Sequence, residues 1–107
     1  MRRAKPALLL PVLLTLLPLS GAHSEEALGR KVFTQTAQPS CALCHALQAA
    51  GAAGAVGPSL DELKPDKARI LEVVRKGLGA MPPYADKLSP EEIEALATFV
   101  AKAVQAP

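Results

Sequence analysis

The chain has 107 residues, with 12 basic and 10 acidic side chains and a formal net charge of +2. It contains no basic cluster with interleaved aromatic residues, so the sequence argues against a nucleic-acid partner. Two phenylalanines, one tyrosine and no tryptophan can build only a thin core in one small domain. Chains this short often need a prosthetic group, a metal or disulfides in addition to their own small core to be stable.

The first 22 residues are typical of a secretory signal peptide. Basic residues at positions 2, 3 and 5 precede the leucine-rich stretch 7–19, and small residues follow it. We expect cleavage after Ala22, with cleavage after Ser24 as the alternative. The apolar stretch is shorter than the ~20 residues of a membrane-spanning helix, so membrane attachment is expected only if this segment is retained. The mature domain, 23–107, would then have nine basic and ten acidic residues and lie in the periplasm of a Gram-negative bacterium.

A first helix is predicted from Glu25 to about Thr36, because apolar residues recur through it at helical spacing. Its acidic first residues would favour the positive end of the helix dipole. Gly29, beside Phe33, indicates either a tolerated helix glycine or a close crossing with another helix. The following Gln-Pro-Ser sequence, 38–40, is predicted to end the helix.

The two cysteines of the chain, Cys41 and Cys44, form a C-x-x-C-H motif with His45. Thiols at this spacing can each add across a vinyl group of haem. The adjacent histidine can then bind the iron as an axial ligand. The motif therefore predicts covalent attachment of one haem.

Other uses of these residues have less support. A thioredoxin-like redox pair should follow a strand in a βαβ unit, and the sequence shows no strand-like alternation. A zinc site needs further cysteine or histidine ligands, and the other histidine, His23, lies far upstream. A disulfide between such close cysteines closes a very short loop and stabilises little.

Residues 46–57 are rich in alanine and glycine and carry no charge. They could form a linker, or small residues could let the backbone approach a haem closely. In the following Gly-Pro-Ser-Leu sequence, the carbonyl of Pro58 could accept the Nδ1 proton of His45 and raise the basicity of that ligand. An ordinary turn proline is the alternative.

A second helix is predicted from Asp66 to Lys76, with Asp66 as its N-cap and Gly77 just beyond its end. Its apolar stripe consists of Ile70, Val73, Val74 and Leu78, and its charged side chains, Lys67, Arg69, Glu72 and Arg75, are expected to face water.

An irregular loop from Gly79 to Tyr84 would contain Met81, the one methionine that remains after signal removal. A glycine before it and two prolines after it would present its side chain at a fixed place. A thioether there could complete iron coordination and raise the reduction potential, whereas the alternative is a core methionine that fills a gap. The hydroxyl of Tyr84 could reach a haem propionate or the loop backbone, or the ring could simply pack.

The last helix begins at a capping box, with Ser89 as the N-cap, Pro90 at the first helical position and Glu92 two residues later. Apolar residues recur along one face of this helix. Phe99 borders that face, and we expect it to contact Phe33.

Together these residues resemble the class I c-type cytochromes over nearly the whole mature chain. The resemblance implies an all-α fold, with three to four helices around one covalent haem and terminal helices that cross near Gly29 and Phe99. It also implies the following site: thioethers at Cys41 and Cys44, axial ligands His45 and Met81, and a hydrogen bond from the proximal imidazole to the Pro58 carbonyl.

The stretch from Gly54 to Met81 is also similar to the small haem subunit of bacterial sulfite dehydrogenases, in which a molybdenum subunit oxidises sulfite and passes electrons on. The implied function is electron transfer in the periplasm, one electron at a time, between a dehydrogenase and a cytochrome or oxidase. With both axial positions filled, no small-molecule substrate and no enzymatic activity at the iron are expected. The alternatives are a haem subunit of a periplasmic dehydrogenase and an open-site haem sensor or enzyme.

Overall fold

The computed structural model describes residues 2–16 and 20–105, and it confirms a mainly helical fold. The elements follow in the order α1 (Ser20–Lys31), a π-helical extension (Val32–Thr36), α2 (Cys41–Cys44), β1 (Ala46–Leu47), a 3₁₀ turn (Gln48–Ala50), β2 (Ala52–Ala53), α3 (Leu60–Leu63), α4 (Lys67–Lys76) and α5 (Pro90–Gln105). Helices α1, α4 and α5 are the long ones, and α2 and α3 are single turns.

The segment 2–16 contains no helix or strand, and its apolar side chains are exposed. The end of the leucine-rich stretch, 17–19, lies outside the described residues. Nowhere in the described part of the chain is there a helix both long enough and apolar enough to cross a membrane. Cleavage after Ala22 stays a prediction.

Helix α1 begins at Ser20, five residues before the predicted start at Glu25. No proline lies between Pro18 and Pro39, so the backbone can be helical from Ser20 onward. Glu25 and Glu26 therefore lie in the second turn instead of the first. The prediction that they favour the N-terminal end of the helix dipole was wrong.

Helices α1 and α5 cross at Gly29, as one of the two interpretations of this glycine expected. A Cβ atom at Gly29 would overlap the Ala95 carbonyl oxygen and lie 2.5 Å from the Cβ of Phe99. One turn further on, the rings of Phe33 and Phe99 meet edge to face, with centroids 6.3 Å apart. The expected contact between these rings is confirmed, and it joins the two ends of the domain.

Hydrogen bonds at the starts of α4 and α5 confirm both predicted caps. The Asp66 carboxylate accepts from the backbone N–H of Arg69 at 2.8 Å. At α5, Ser89 Oγ accepts from the Glu92 N–H at 3.1 Å, and the Glu92 carboxylate accepts from the Ser89 N–H at 2.9 Å. This is the reciprocal pairing of a capping box.

A small antiparallel hairpin lies directly after the cysteine motif, where no strand was predicted. Ala46 pairs with Ala53, and Leu47 pairs with Ala52. Gly51, with φ of 63°, ends the 3₁₀ turn between the strands in the left-handed region that favours glycine. Strands of two residues are too short to show the alternation by which a sequence indicates a strand.

Candidate functional site

The single turn α2 carries both cysteines, and His45 follows it directly. The backbone N–H of His45 donates to the Cys41 carbonyl at 2.9 Å, which closes the turn. Cys41 and Cys44 are both half-buried free thiols, and with His45 they line one cavity of about 410 Å³. The two-residue spacer thus directs three chemically reactive side chains toward the same space.

The imidazole of His45 is held by the backbone of the following loop. Its Nδ1 lies 2.7 Å from the Pro58 carbonyl oxygen. Because a carbonyl oxygen can only accept, we assign the proton to Nδ1, which leaves the lone pair on Nε2. That is the tautomer in which the outer nitrogen can bind a metal, and the hydrogen bond increases its basicity.

Two glycines in the loop between the motif and Pro58 allow this close packing. A Cβ at Gly57 would lie 2.5 Å from Cε1 of His45 and 2.9 Å from its Nδ1. A Cβ at Gly54 would lie 2.6 Å from the Cys44 carbonyl carbon. The small residues of this stretch therefore let it lie against the motif backbone and the imidazole, and the stretch is not a loose linker.

Met81 reaches the same cavity from a tight turn. The backbones of Leu78 and Met81 exchange two hydrogen bonds of 3.0 Å, and Gly79 between them has φ of 57°. This pairing makes the loop more regular than predicted. Leu78 belongs to this turn and is 60% exposed, but it lines the cavity together with Ile70, Val73 and Val74. The predicted apolar stripe therefore faces the cavity and continues beyond the end of α4.

Before the loop, Gly77 ends α4 with φ of 75°, and a Cβ there would lie 2.8 Å from the Met81 carbonyl oxygen. The half-buried Met81 side chain is thus carried by a compact turn, directly after the helix that forms part of the cavity wall.

The rest of the cavity wall is mainly apolar. Helices α4 and α5 and the end of the first helix contribute Ile70, Val74, Leu96, Val100 and Phe33. Two thiols could attach a haem covalently, an imidazole and a thioether could bind its iron, and the apolar wall could bury its ring. The residues present therefore fit that group.

Tyr84 is buried at the edge of the cavity, with 4% of its surface exposed. Its hydroxyl donates to the Pro39 carbonyl at 2.6 Å, 45 residues earlier in the chain. This partner is backbone outside the Met81 loop and was not among the predicted alternatives. Burial, with a smaller contribution from the neighbouring thiols, raises the pKa of Tyr84 to about 12. The hydroxyl therefore stays protonated and acts as a donor.

Cys41 lacks the lowered pKa of a reactive redox thiol. Burial is the main reason that the pKa of the Cys41 thiol rises to about 11, partly opposed by a backbone hydrogen bond. Redox-active dithiols need a lowered pKa. In the described residues no group of three or more histidine, cysteine or acidic side chains is placed to bind a metal ion.

Two features of the site were missed at the sequence level. Arg69, expected to face water, also borders the cavity, and it is the one permanently charged side chain among the described residues that line it. Gly57 touches the imidazole ring directly, and its only sequence signal is its position before Pro58.

Comparisons with known proteins indicate the family to which the chain belongs. The family model "Cytochrome C oxidase, cbb3-type, subunit III" matches residues 24–100, more than half of the chain. The crystal structure of the c-type cytochrome SorU from Sinorhizobium meliloti is 48% identical and has a TM-score of 0.73, covering 77% of this chain and 93% of that one.

Chloroplastic cytochrome c6 from Chlamydomonas reinhardtii is 36% identical over 101 residues, which covers 85% of this chain. The match covers 63% of that protein, so the chain spans less than two thirds of the length of this relative. The family model and the similar crystal structure both describe cytochromes. The chain therefore belongs to this family of class I c-type cytochromes, electron-transfer proteins that carry one covalently bound haem c.

Proposed function

We propose that this cytochrome is a periplasmic one-electron carrier whose haem is attached at Cys41 and Cys44 and has His45 and Met81 as axial ligands. The observation that supports this most directly is that one apolar cavity is lined by all four of these side chains. They come from two chain segments, 41–45 and Met81, that are far apart in the sequence.

A bound haem c supplies a one-electron iron couple. The chain's residues orient and protect it. The Pro58 carbonyl holds the His45 ring in the tautomer with a free Nε2 lone pair. The turn at Met81 presents a thioether, a ligand that raises the reduction potential. The apolar wall formed by α4 and α5 limits water access, which also tunes the potential.

The first experiment is expression of the full chain together with haem-ligation machinery. We expect a coloured protein whose haem remains attached after denaturation. The matched control, Cys41→Ser with Cys44→Ser, should lack covalent haem and be mostly unfolded, because too little core remains. A colourless wild-type protein would contradict the proposal, and a stable helical double variant would contradict the structural role of the haem.

Carbon monoxide distinguishes the closed site from an open-site sensor or enzyme. If His45 and Met81 both bind the iron, the reduced protein at neutral pH should bind carbon monoxide slowly and incompletely. Rapid and complete binding would exclude stable ligation by Met81 and would favour the open-site alternative.

A more specific proposal concerns the electron donor. The similarity of the stretch from Gly54 to Met81 to the haem subunits of sulfite dehydrogenases supports a molybdenum enzyme as the partner. The carrier would then accept electrons either as a docked subunit or as a free protein. Size exclusion of the native periplasmic fraction tests this, because a large species that contains a molybdenum cofactor indicates a subunit, and a lone small species indicates a free carrier.

Export is the remaining part of the proposal. The signal-like segment 1–22 supports it, together with the fact that the motif requires haem attachment outside the cytoplasm. The mass of the mature protein tests it. A protein that begins at His23 or Glu25 agrees with cleavage after Ala22 or Ser24, whereas an intact N-terminus would indicate that the segment is retained.

A further inference from the structure

Tyr84 connects the two halves of the cavity wall. Met81 lies three residues before Tyr84, the cysteine motif begins two residues after Pro39, and both segments line the cavity. The Tyr84 hydroxyl joins these two segments with its 2.6 Å hydrogen bond to the Pro39 carbonyl. Among the hydrogen bonds described for residues 78–84, this is the one that reaches the N-terminal half of the chain.

The other bonds of the Met81 turn stay local. The pairing of Leu78 with Met81 lies within the turn itself, and the Tyr84 N–H donates to Val74 in α4 at 2.8 Å. The turn can therefore shift relative to the cysteine motif without losing either of these hydrogen bonds, provided that it moves together with α4. Two hydrogen bonds resist that movement. The buried Tyr84 hydroxyl donates to Pro39 at 2.6 Å, and the exposed Lys87 Nζ donates to the neighbouring Gln38 carbonyl at the longer distance of 3.4 Å. The shorter, less solvent-exposed bond of Tyr84 is the stronger constraint.

The link from Tyr84 to Met81 is stiff. Pro82 and Pro83 separate these two residues in the sequence, and the proline ring restricts the backbone angle φ at both positions. On the other side of the cavity, Ser40 Oγ donates to the carbonyls of Phe33 and Thr34, at 3.0 and 3.3 Å, and holds the segment at Pro39 against the end of the first helix. Both ends of the Tyr84–Pro39 hydrogen bond are thus attached to well-packed structure.

We propose that Tyr84 is a positioning residue that keeps the Met81 thioether bound to the haem iron. This inference rests on the proposed axial ligation. Loss of the hydroxyl leaves the ring and its packing in place but removes the shorter of the two hydrogen bonds that hold this region to residues 38 and 39. The Met81 turn then opens more often, and its thioether competes less well with an added ligand.

Titration of the oxidised holoprotein with imidazole tests this. For Tyr84→Phe we expect imidazole to bind on the order of tenfold more tightly, since one lost buried hydrogen bond raises the open population by about that factor. The reduction potential should also fall. The matched control is Ser89→Ala, which removes a cap hydrogen bond of α5 and destabilises the fold without touching the link to Pro39.

Unchanged imidazole affinity and potential in Tyr84→Phe would overturn the inference, as would an equal change in Ser89→Ala, because the effect would then be general destabilisation. The wild-type protein distinguishes this failure from failure of the proposed function. A sulfur-to-iron charge-transfer band in the oxidised wild type establishes methionine ligation. Its absence would refute Met81 as a ligand and would overturn the role of Tyr84 with it.

Discussion

Gly57→Ala introduces one methyl group directly against the proposed proximal ligand. The new Cβ would lie 2.5 Å from Cε1 of His45, whereas ordinary contacts begin at 3.4 Å. The ring must therefore move by about 0.9 Å, or the loop must move by the same amount. Gly57 does not have the positive φ that favours glycine, so backbone strain contributes nothing and the contact alone is tested.

A movement of this size is enough to break the hydrogen bond between His45 Nδ1 and the Pro58 carbonyl. If the ring moves away from the Pro58 oxygen, the 2.7 Å distance from Nδ1 becomes about 3.6 Å, which is no longer a hydrogen bond. Loss of that bond makes the imidazole a less basic ligand and disfavours oxidised iron. The reduction potential should rise by about 40 mV, the equivalent of about 1 kcal/mol for one electron.

Spectroelectrochemical titration of the purified holoprotein measures this shift. The matched control is Gly51→Ala, where a Cβ would meet no atom within 4 Å and the strain of a φ of 63° stays in the hairpin turn. We expect the control to keep the wild-type potential. The reasoning is refuted if Gly57→Ala leaves the potential unchanged, or if both variants shift it equally.

Three further predictions test other parts of the fold and the site. Met81→Ala should keep its covalent haem but lower the reduction potential markedly, and an unchanged potential would rule out thioether ligation. Gly29→Ala should destabilise the protein by about 1–3 kcal/mol in thermal melts, because the new methyl group overpacks the helix crossing. If this variant is stabilised instead, by the better helix propensity of alanine, the crossing is looser than described. Because burial raises the pKa of Tyr84 to about 12, the unfolded state loses its proton first, and stability should decline between pH 10 and about 12. A flat profile in wild type, or an equal decline in Tyr84→Phe, would contradict this.

Several elements could be read from the sequence because their causes are local. The capping box at Ser89 and the N-cap at Asp66 are patterns of three or four residues, and both form as predicted. The apolar period of α5 likewise predicted its buried face, which consists of Ile93, Leu96, Ala97, Val100 and Val104, and the bordering Phe99 is buried as well. The hairpin at 46–53 was missed because its strands are two residues long and depend on the glycine turn and on packing against the motif.

The identity of the candidate site was determined by the sequence alone. C-x-x-C-H joins two thiols and an imidazole within one turn, and no tertiary contact is needed to recognise their chemistry. The sequence could also nominate Met81 and Pro58, but only as residues compatible with a haem.

Tertiary structure decided which groups meet across the domain. The Tyr84 hydroxyl donates to the carbonyl of Pro39, which lies 45 residues earlier. Gly57 lies against the His45 ring, and the lack of a side chain at Gly29 allows the close approach of α5. Such contacts depend on how helices and loops pack in three dimensions. Close packing of this kind produces no periodic pattern in the sequence from which it could be predicted. Local rules therefore predicted the reactive groups, and only the folded chain showed what holds them in position.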